Sequence, residues 1–127
     1  MTPISIATNT ALKPIKVTST GITSVSGSGV DAIAITPDGK LAYAVTNPGA
    51  PGSVLGEVTP IITATNTALT PIKVGKGPSV IAITPDGKTA YVVSYDRGTV
   101  TAIRIATSTE LKPIKVGEDS NAIAITP

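Results

Sequence analysis

The sequence predicts an all-β fold made of repeated four-stranded antiparallel units. A hexamer occurs three times, as LKPIKV at 12–17, LTPIKV at 69–74 and LKPIKV at 111–116. A second segment, IAITPDGK, occurs at 33–40 and 81–88, and its first five residues return at 123–127. In the 127-residue chain Gly and Pro are frequent, and charged residues make up only 14%. This composition is typical of a turn-rich β protein, because disordered chains combine low hydrophobicity with high net charge.

The later repeats have a period of 42 residues, from 64 to 106 and from 81 to 123. Each full unit contains four runs with strand character, which are 30–37, 41–46, 58–63 and 70–74 in the first and 79–85, 89–95, 99–105 and 112–116 in the second. No stretch keeps a helical hydrophobic period over three turns. Four antiparallel strands in about 42 residues are the size of one β-propeller blade.

The strands and turns of a unit fit this assignment in order. The first strand alternates Ile33 with Ala34, so both of its faces are apolar, as a strand between two neighbouring blades requires. In the turn that follows, Pro37 suits the first central position, Asp38 the second, and Gly39 the left-handed conformation after them. The fourth strand carries a central proline, which predicts an outer edge strand where no ladder hydrogen bond is lost.

Counting strands in one segment spanning 1–127 gives two full blades and a split third. Third and fourth strands are expected at 2–6 and 12–17 within 1–17, full blades at 30–74 and 79–116, and a first strand at 121–126 within 121–127. Three blades do not close a ring, since propellers have about four or more. Either the sequence is a piece of a longer propeller or identical chains complete one another head to tail. We expect self-association, with a homodimer favoured and a trimer as the alternative.

The segment IAITPDGKTAYVVSYDRGTVTAI at 81–103 resembles the YVTN-type β-propeller repeat, and the resemblance extends over nearly the whole chain. Tyr91-Val92-Val93-Ser94 stands at the tetrapeptide that names the family, and Tyr43-Ala44-Val45-Thr46 is a looser match. The resemblance implies a surface-layer-like, secreted or cell-surface protein, often with only a binding or structural role. The first ten residues have neither the basic region nor the apolar core of a signal peptide.

The composition excludes several kinds of chemistry. The chain has no His and no Cys, so it lacks the usual ligands of haem, copper and zinc and cannot form a Ser-His triad. Asp38 and Asp86 each occupy a single turn, whereas a calcium loop needs several oxygens at close spacing. We therefore predict no catalytic residue, no metal, no cofactor and no enzyme activity.

Partners of two further classes are not expected. Lysines occur in pairs in each repeat, but almost no aromatic residues accompany them and the net charge is only +2, so a nucleic-acid platform is not predicted. No stretch approaches 18 consecutive apolar residues, so no membrane-spanning helix is predicted.

One face of the predicted propeller is the candidate ligand-binding face. The connections between second and third strands and between consecutive blades emerge there, and two of them, 18–31 and 46–57, are lengthened in the first unit. Binding residues concentrate on such loops over a rigid scaffold. The candidate ligand-binding residues are Asp31, Asn47, Tyr95, Asp96, Arg97 and Asp119. The plainer interpretation of the same residues is surface loops, solvated ion pairs and capping carboxylates.

Three functional hypotheses remain from the sequence. The first is a non-catalytic scaffold or binding module completed by self-assembly. The second is a propeller that binds a carbohydrate or peptide on the face with the lengthened loops, although the three tyrosines are its only aromatic residues. The third is a fragment of a larger propeller enzyme whose active groups lie in other blades.

Overall fold

A computed structural model describes residues 1–5, 7–8, 10–15, 29–47 and 55–127. Within these ranges twelve strands form three antiparallel sheets. The sheet that we call the half-blade contains β1 (Ile4–Ser5) and β2 (Thr10–Ala11). No helix in the described ranges has the length and hydrophobicity needed to cross a membrane.

The other two sheets are the complete blades predicted from the repeats. Blade 1 contains β3 (Gly29–Ile35), β4 (Leu41–Asn47), β5 (Glu57–Ile62), β6 (Thr67–Ala68) and β7 (Ile72–Lys73). Blade 2 contains β8 (Pro78–Ile83), β9 (Thr89–Ser94), β10 (Thr99–Arg104), β11 (Thr109–Glu110) and β12 (Ile114–Lys115). In both blades the first, second and third strands are neighbours in that order and the fourth strand lies at the outside, which confirms the all-β, four-stranded prediction.

The Pro-Asp-Gly turns are the same in the two blades. The Thr36 hydroxyl donates a 2.6 Å hydrogen bond to Asp38, which also accepts from the Lys40 amide at 3.0 Å. Gly39 has a φ of 72°, the left-handed conformation predicted for it. In blade 2 the carboxylate of Asp86 accepts the corresponding hydrogen bonds. The hydroxyl and amide donors stabilise the carboxylate form and lower the pKa of both aspartates.

The fourth strands differ from the prediction, because each is split into two short pieces around its proline. The expected strand 70–74 is present only as Ile72–Lys73, and Thr67–Ala68, expected to be part of a link, pairs with β5. Between the pieces the Leu69 amide donates to the Pro60 carbonyl at 2.8 Å. Pro71 has no N–H, so the ladder stops there and resumes one residue later. Blade 2 has the same interruption around Pro113.

The half-blade has the third- and fourth-strand positions of a blade, with shorter strands than the expected 2–6 and 12–17. Its register pairs Ile4 with Ala11, as Ile61 pairs with Ala68 in blade 1. Met1 and Ile15 exchange backbone hydrogen bonds of 2.7 and 3.0 Å, in the manner of the Val58–Ile72 pair. Met1 therefore occupies the position of Val58, which agrees with the match between Thr2-Pro3-Ile4 and Thr59-Pro60-Ile61 in the sequence. Residues 16 and 17 lie outside the described ranges.

The three sheets pack face to face in chain order. The larger core lies between the blades and includes Tyr43 and Val58 from blade 1 and Ile81, Val92 and Ile103 from blade 2. A smaller core joins the half-blade to the other face of blade 1, through Ile15 packed with Ala42, Ala44 and Ile61. Blade 1 thus has a neighbour on each side, whereas blade 2 has a neighbouring blade on one side only among the described residues.

Candidate binding face and open blade faces

Three connecting segments meet on the predicted binding face of blade 2. Residues Tyr95–Arg97 form a single 3-10 turn between β9 and β10. The Tyr95 amide donates to the Gly77 carbonyl at 2.8 Å, in the link that precedes the blade. On the other side, the Val116 amide donates to the Gly98 carbonyl at 2.9 Å, at the start of the link that follows the blade. Connections of these two types therefore emerge on one face, as the strand order predicted.

Two glycines allow these segments to lie so close together. Gly98 has a φ of 55°, and a Cβ atom there would be 2.4 Å from the carbonyl carbon of Gly117. Gly77 has a φ of 63°, and a Cβ atom there would be 2.7 Å from the carboxyl carbon of Asp96. A side chain at Gly98 would push the two backbones apart, a side chain at Gly77 would displace the Asp96 carboxylate, and either would strain the backbone.

Tyr95, Asp96 and Asp119 form the polar group on this face. The Asp119 carboxylate lies near the Tyr95 hydroxyl and raises the pKa of Tyr95, because it favours the neutral phenol as a donor and its negative charge opposes the phenolate. The negative charge of Asp96 adds a smaller effect in the same direction. Asp119 has a left-handed φ of 62°. Tyr95 remains exposed to solvent, as does Arg97.

The other two predicted ligand-binding residues lie in blade 1. Asp31 is the extra residue of a β-bulge, since the pairing of β3 with β4 shifts between Val30 and Ala32. Partial desolvation raises the pKa of its carboxyl group. Asn47 is the last residue of β4 and pairs with Gly29. The lengthened loops that were to complete this site fall mostly at 18–28 and 48–54, outside the described residues.

The structure also shows a feature that the sequence prediction did not assign to particular residues, which is an open apolar face on blade 2. Ile72 and Ile114 hold the same place in the two blades, each opposite a valine of the third strand. Ile72 is 5% exposed because blade 2 covers it, whereas Ile114 is 54% exposed. The next equivalent pair shows the same difference in exposure, since Val74 is buried and Val116 is exposed.

A second open apolar surface lies between the half-blade and blade 1. It is a groove of about 520 Å³ lined by Ile4, Leu12, Ile33 and Ile35 among others. Ile33 is 48% exposed, although its counterpart Ile81 in blade 2 is 8% exposed. Ile4 is 62% exposed, against 1% for its blade 1 counterpart Ile61. The sequence alone does not reveal this surface, because equivalent segments of the repeats are nearly the same and only their neighbours in the structure differ.

The segment 121–127 lies against the open face of blade 2. Ile123 and Ile125 are half-buried and line a cavity with Tyr91, whereas Ala122 and Ala124 are exposed. This alternation is that of a strand, but the expected strand 121–126 is not formed within the described part of the chain. A strand requires a hydrogen-bonded neighbour, and no described residue occupies the second-strand position beside it.

No protein-family model and no curated protein match the sequence. Solved structures are similar in fold. Hydrazine synthase from Kuenenia stuttgartiensis has a TM-score of 0.64 and 26% identity, over 80% of this chain and 28% of its own. A candidate 6-phosphogluconolactonase from Bacteroides fragilis has a TM-score of 0.60 and 29% identity, over 72% of this chain and 26% of its own. The WD40 repeats of RRP9 have a TM-score of 0.58 and 16% identity, over 76% and 28%.

These similarities confirm the β-propeller fold. The chain spans just over a quarter of the length of each solved chain that it matches, so the similarity covers a few blades and not a whole ring.

Proposed function

We propose that this chain is a non-catalytic β-propeller module, with repeats of the YVTN type, that acts as a scaffold by associating with identical chains. One observation carries the proposal. Apolar side chains at equivalent positions are buried wherever a neighbouring blade is present and exposed at both ends of the stack, as Ile72 and Ile114 show. Contiguous exposed apolar surface of this kind marks an association site.

The energetic argument follows from the size of these side chains. Burying one isoleucine or valine contributes about 1.5–3 kcal/mol. The exposed residues at the two ends are Ile4, Ile33 and Ile35 on one and Ile114 and Val116 on the other. The two ends correspond to the two surfaces that meet between blade 1 and blade 2, so one end of a copy can pair with the other end of a second copy. Such a head-to-tail contact forms a ring when the rotation closes, and a dimer is the smallest closed form.

The absence of catalytic activity is supported by the sequence. The chain contains no histidine and no cysteine, and hence none of the residues that most often act as general bases, thiolate nucleophiles or zinc ligands. Ionisable groups near the binding face include Asp31, Tyr95, Asp96, Arg97 and Asp119. These groups are suited to hydrogen bonding with a ligand or solvent.

The mass of the protein in solution tests the association. We expect light scattering or sedimentation to give about twice the chain mass of 12.7 kDa. Ile114→Asp places a charge on the open face and should shift the protein to a monomer. Leu111→Asp is the matched control, because Leu111 and its counterparts Leu12 and Leu69 are exposed in every repeat. A monodisperse 12.7 kDa species at all concentrations would refute the proposal.

A second candidate function is the binding of a polar ligand, such as a carbohydrate or peptide, at Tyr95. The observation that favours it is an exposed aromatic ring whose hydroxyl is near the carboxylates of Asp119 and Asp96. NMR titration with panels of oligosaccharides and short peptides should shift the Tyr95 signals, and Asp119→Asn should weaken the effect. Shifts confined to blade 1, or shifts that Tyr95→Ala leaves unchanged, would contradict this site.

A further inference from the structure

We infer that residues 121–127 of one copy occupy the first-strand position of the split blade of a second copy, packed over Ile33 and Ile35 in the groove beside the half-blade. This inference rests on the proposed self-association and specifies which surfaces meet. The groove of one copy thus receives a short segment from another, identical copy.

The contact between blades 1 and 2 shows how such a segment would fit. There Ala32 and Ala34, on the first strand of blade 1, pack against the core that contains Ile81 of blade 2. The sequence AIAITP at 32–37 recurs at 122–127, so Ala122 and Ala124 are the counterparts of these alanines. Ile33 is the counterpart of Ile81. Within the chain, the alanine side of one first strand packs against the isoleucine side of the next. Ala122 and Ala124 offer the same alanine side at one end of the stack, and Ile33 offers the same isoleucine side at the other, and both are exposed.

The segment already has the orientation that the contact requires. Ile123 and Ile125 face their own blade 2 near Tyr91 and are half-buried. Ala122 and Ala124 alternate with these isoleucines and are exposed, although Ala124 also lines the cavity beside Tyr91. Their small side chains leave space for the isoleucines of the receiving copy, as Ala32 and Ala34 do within the chain. Docking therefore needs no change in the side that each residue presents.

A second contact follows from the same placement. Strand register makes Ile4 of the half-blade equivalent to Ile61 of blade 1 and to Ile103 of blade 2. Ile103 is fully buried in the core that also contains Ile72. The counterpart of Ile72 on the open face is Ile114, so Ile4 of one copy would lie against the open face of the other. Both exposed ends are thereby covered in one head-to-tail interface.

Cysteine cross-linking tests this pairing directly, because the natural chain has no cysteine. One variant carries Ala124→Cys and the other carries Ile33→Cys, and both are mixed in equal amounts under mild oxidation. We expect a covalent dimer in the mixture and only non-covalent dimers in either variant alone. Mixing Ala106→Cys, an exposed position in the link after β10, with Ile33→Cys is the matched control and should give no product.

The outcomes separate this inference from the proposal on which it depends. Cross-linking in the mixture alone supports the inference. Cross-linking within a single variant, or none at all in a protein whose mass is still that of a dimer, overturns the inference while self-association stands. A monomeric mass overturns both. Circular dichroism of each variant establishes that it retains the β structure of the natural chain.

Discussion

Blade 1 and blade 2 are similar in sequence and have the same strand register, yet they differ in burial. The face that each blade turns toward the next position in the stack is buried in blade 1 and partly exposed in blade 2. The face of blade 1 that carries Tyr43 and Ile72 is covered by blade 2 and buried. The corresponding face of blade 2, with Tyr91 and Ile114, is covered only by the segment 121–127 and is partly open. The burial of a repeat is therefore determined by its neighbours, as in other repeat proteins, and equivalent residues make unequal contributions to stability.

The largest expected effect comes from truncating the equivalent isoleucines. Ile72→Ala should lower the free energy of unfolding by about 2–5 kcal/mol, because it leaves a cavity in the core between the blades. Ile114→Ala should change it by about 0.5 kcal/mol or less when the protein is dilute enough to be monomeric, since that side chain is exposed. Urea denaturation measures both. Equal losses in the dilute protein would contradict the difference between the two faces.

A smaller effect is expected from the buried threonines of the third strands. The hydroxyls of Thr59 and Thr101 are buried without a hydrogen-bond partner among the described residues. Leaving such a group unpaired costs about 1–3 kcal/mol, so Thr101→Val should raise the free energy of unfolding by about 1 kcal/mol, and Thr59→Val by a similar amount. Thr70→Val, at an exposed position, is the control. A loss of stability in Thr101→Val would show that its hydroxyl is bonded.

The smallest effect concerns the Pro-Asp-Gly turns, in which the two blades do not differ. The pKa values of Asp38 and Asp86 are lowered below the ordinary 3.8, so both carboxylates stabilise the fold above that pH and lose this effect as the pH falls through their lowered values. We expect Asp38→Asn and Asp86→Asn each to reduce the fall in thermal midpoint on acidification. The two reductions should be equal, and a clear inequality would show that the turns are in different environments.

The sequence predicted most of the fold because the repeats identify equivalent residues. The alternation of Ile and Ala and the Pro-Asp-Gly turn were sufficient to place the first three strands of each blade. The fourth strand was placed at the correct edge but with wrong bounds, because Pro71 interrupts the ladder while the residues before it, Thr67 and Ala68, still pair with β5. That pairing depends on the position of the third strand and is not visible in the hexamer alone.

The candidate site was less predictable. Tyr95 and Asp119 could be selected as residues on one face, but neither their proximity nor the left-handed backbone at Asp119 is indicated by the sequence. The exposed apolar residues at the two ends of the stack could not be predicted from the local sequence, for a different reason. The tripeptide IAI is the same at 33–35 and 81–83, and its first isoleucine is 48% exposed in one and 8% in the other. No property of the tripeptide distinguishes the two.

The broken fourth strand bears on how near-identical repeats can coexist in one protein. Adjacent copies of a β sequence are prone to mispair and to grow into fibrils through exposed sheet edges. Here the outer edge of each blade offers only two consecutive paired residues on either side of Pro71 or Pro113. A misaligned chain therefore finds no long template at the rim, and we expect this interruption to disfavour amyloid growth.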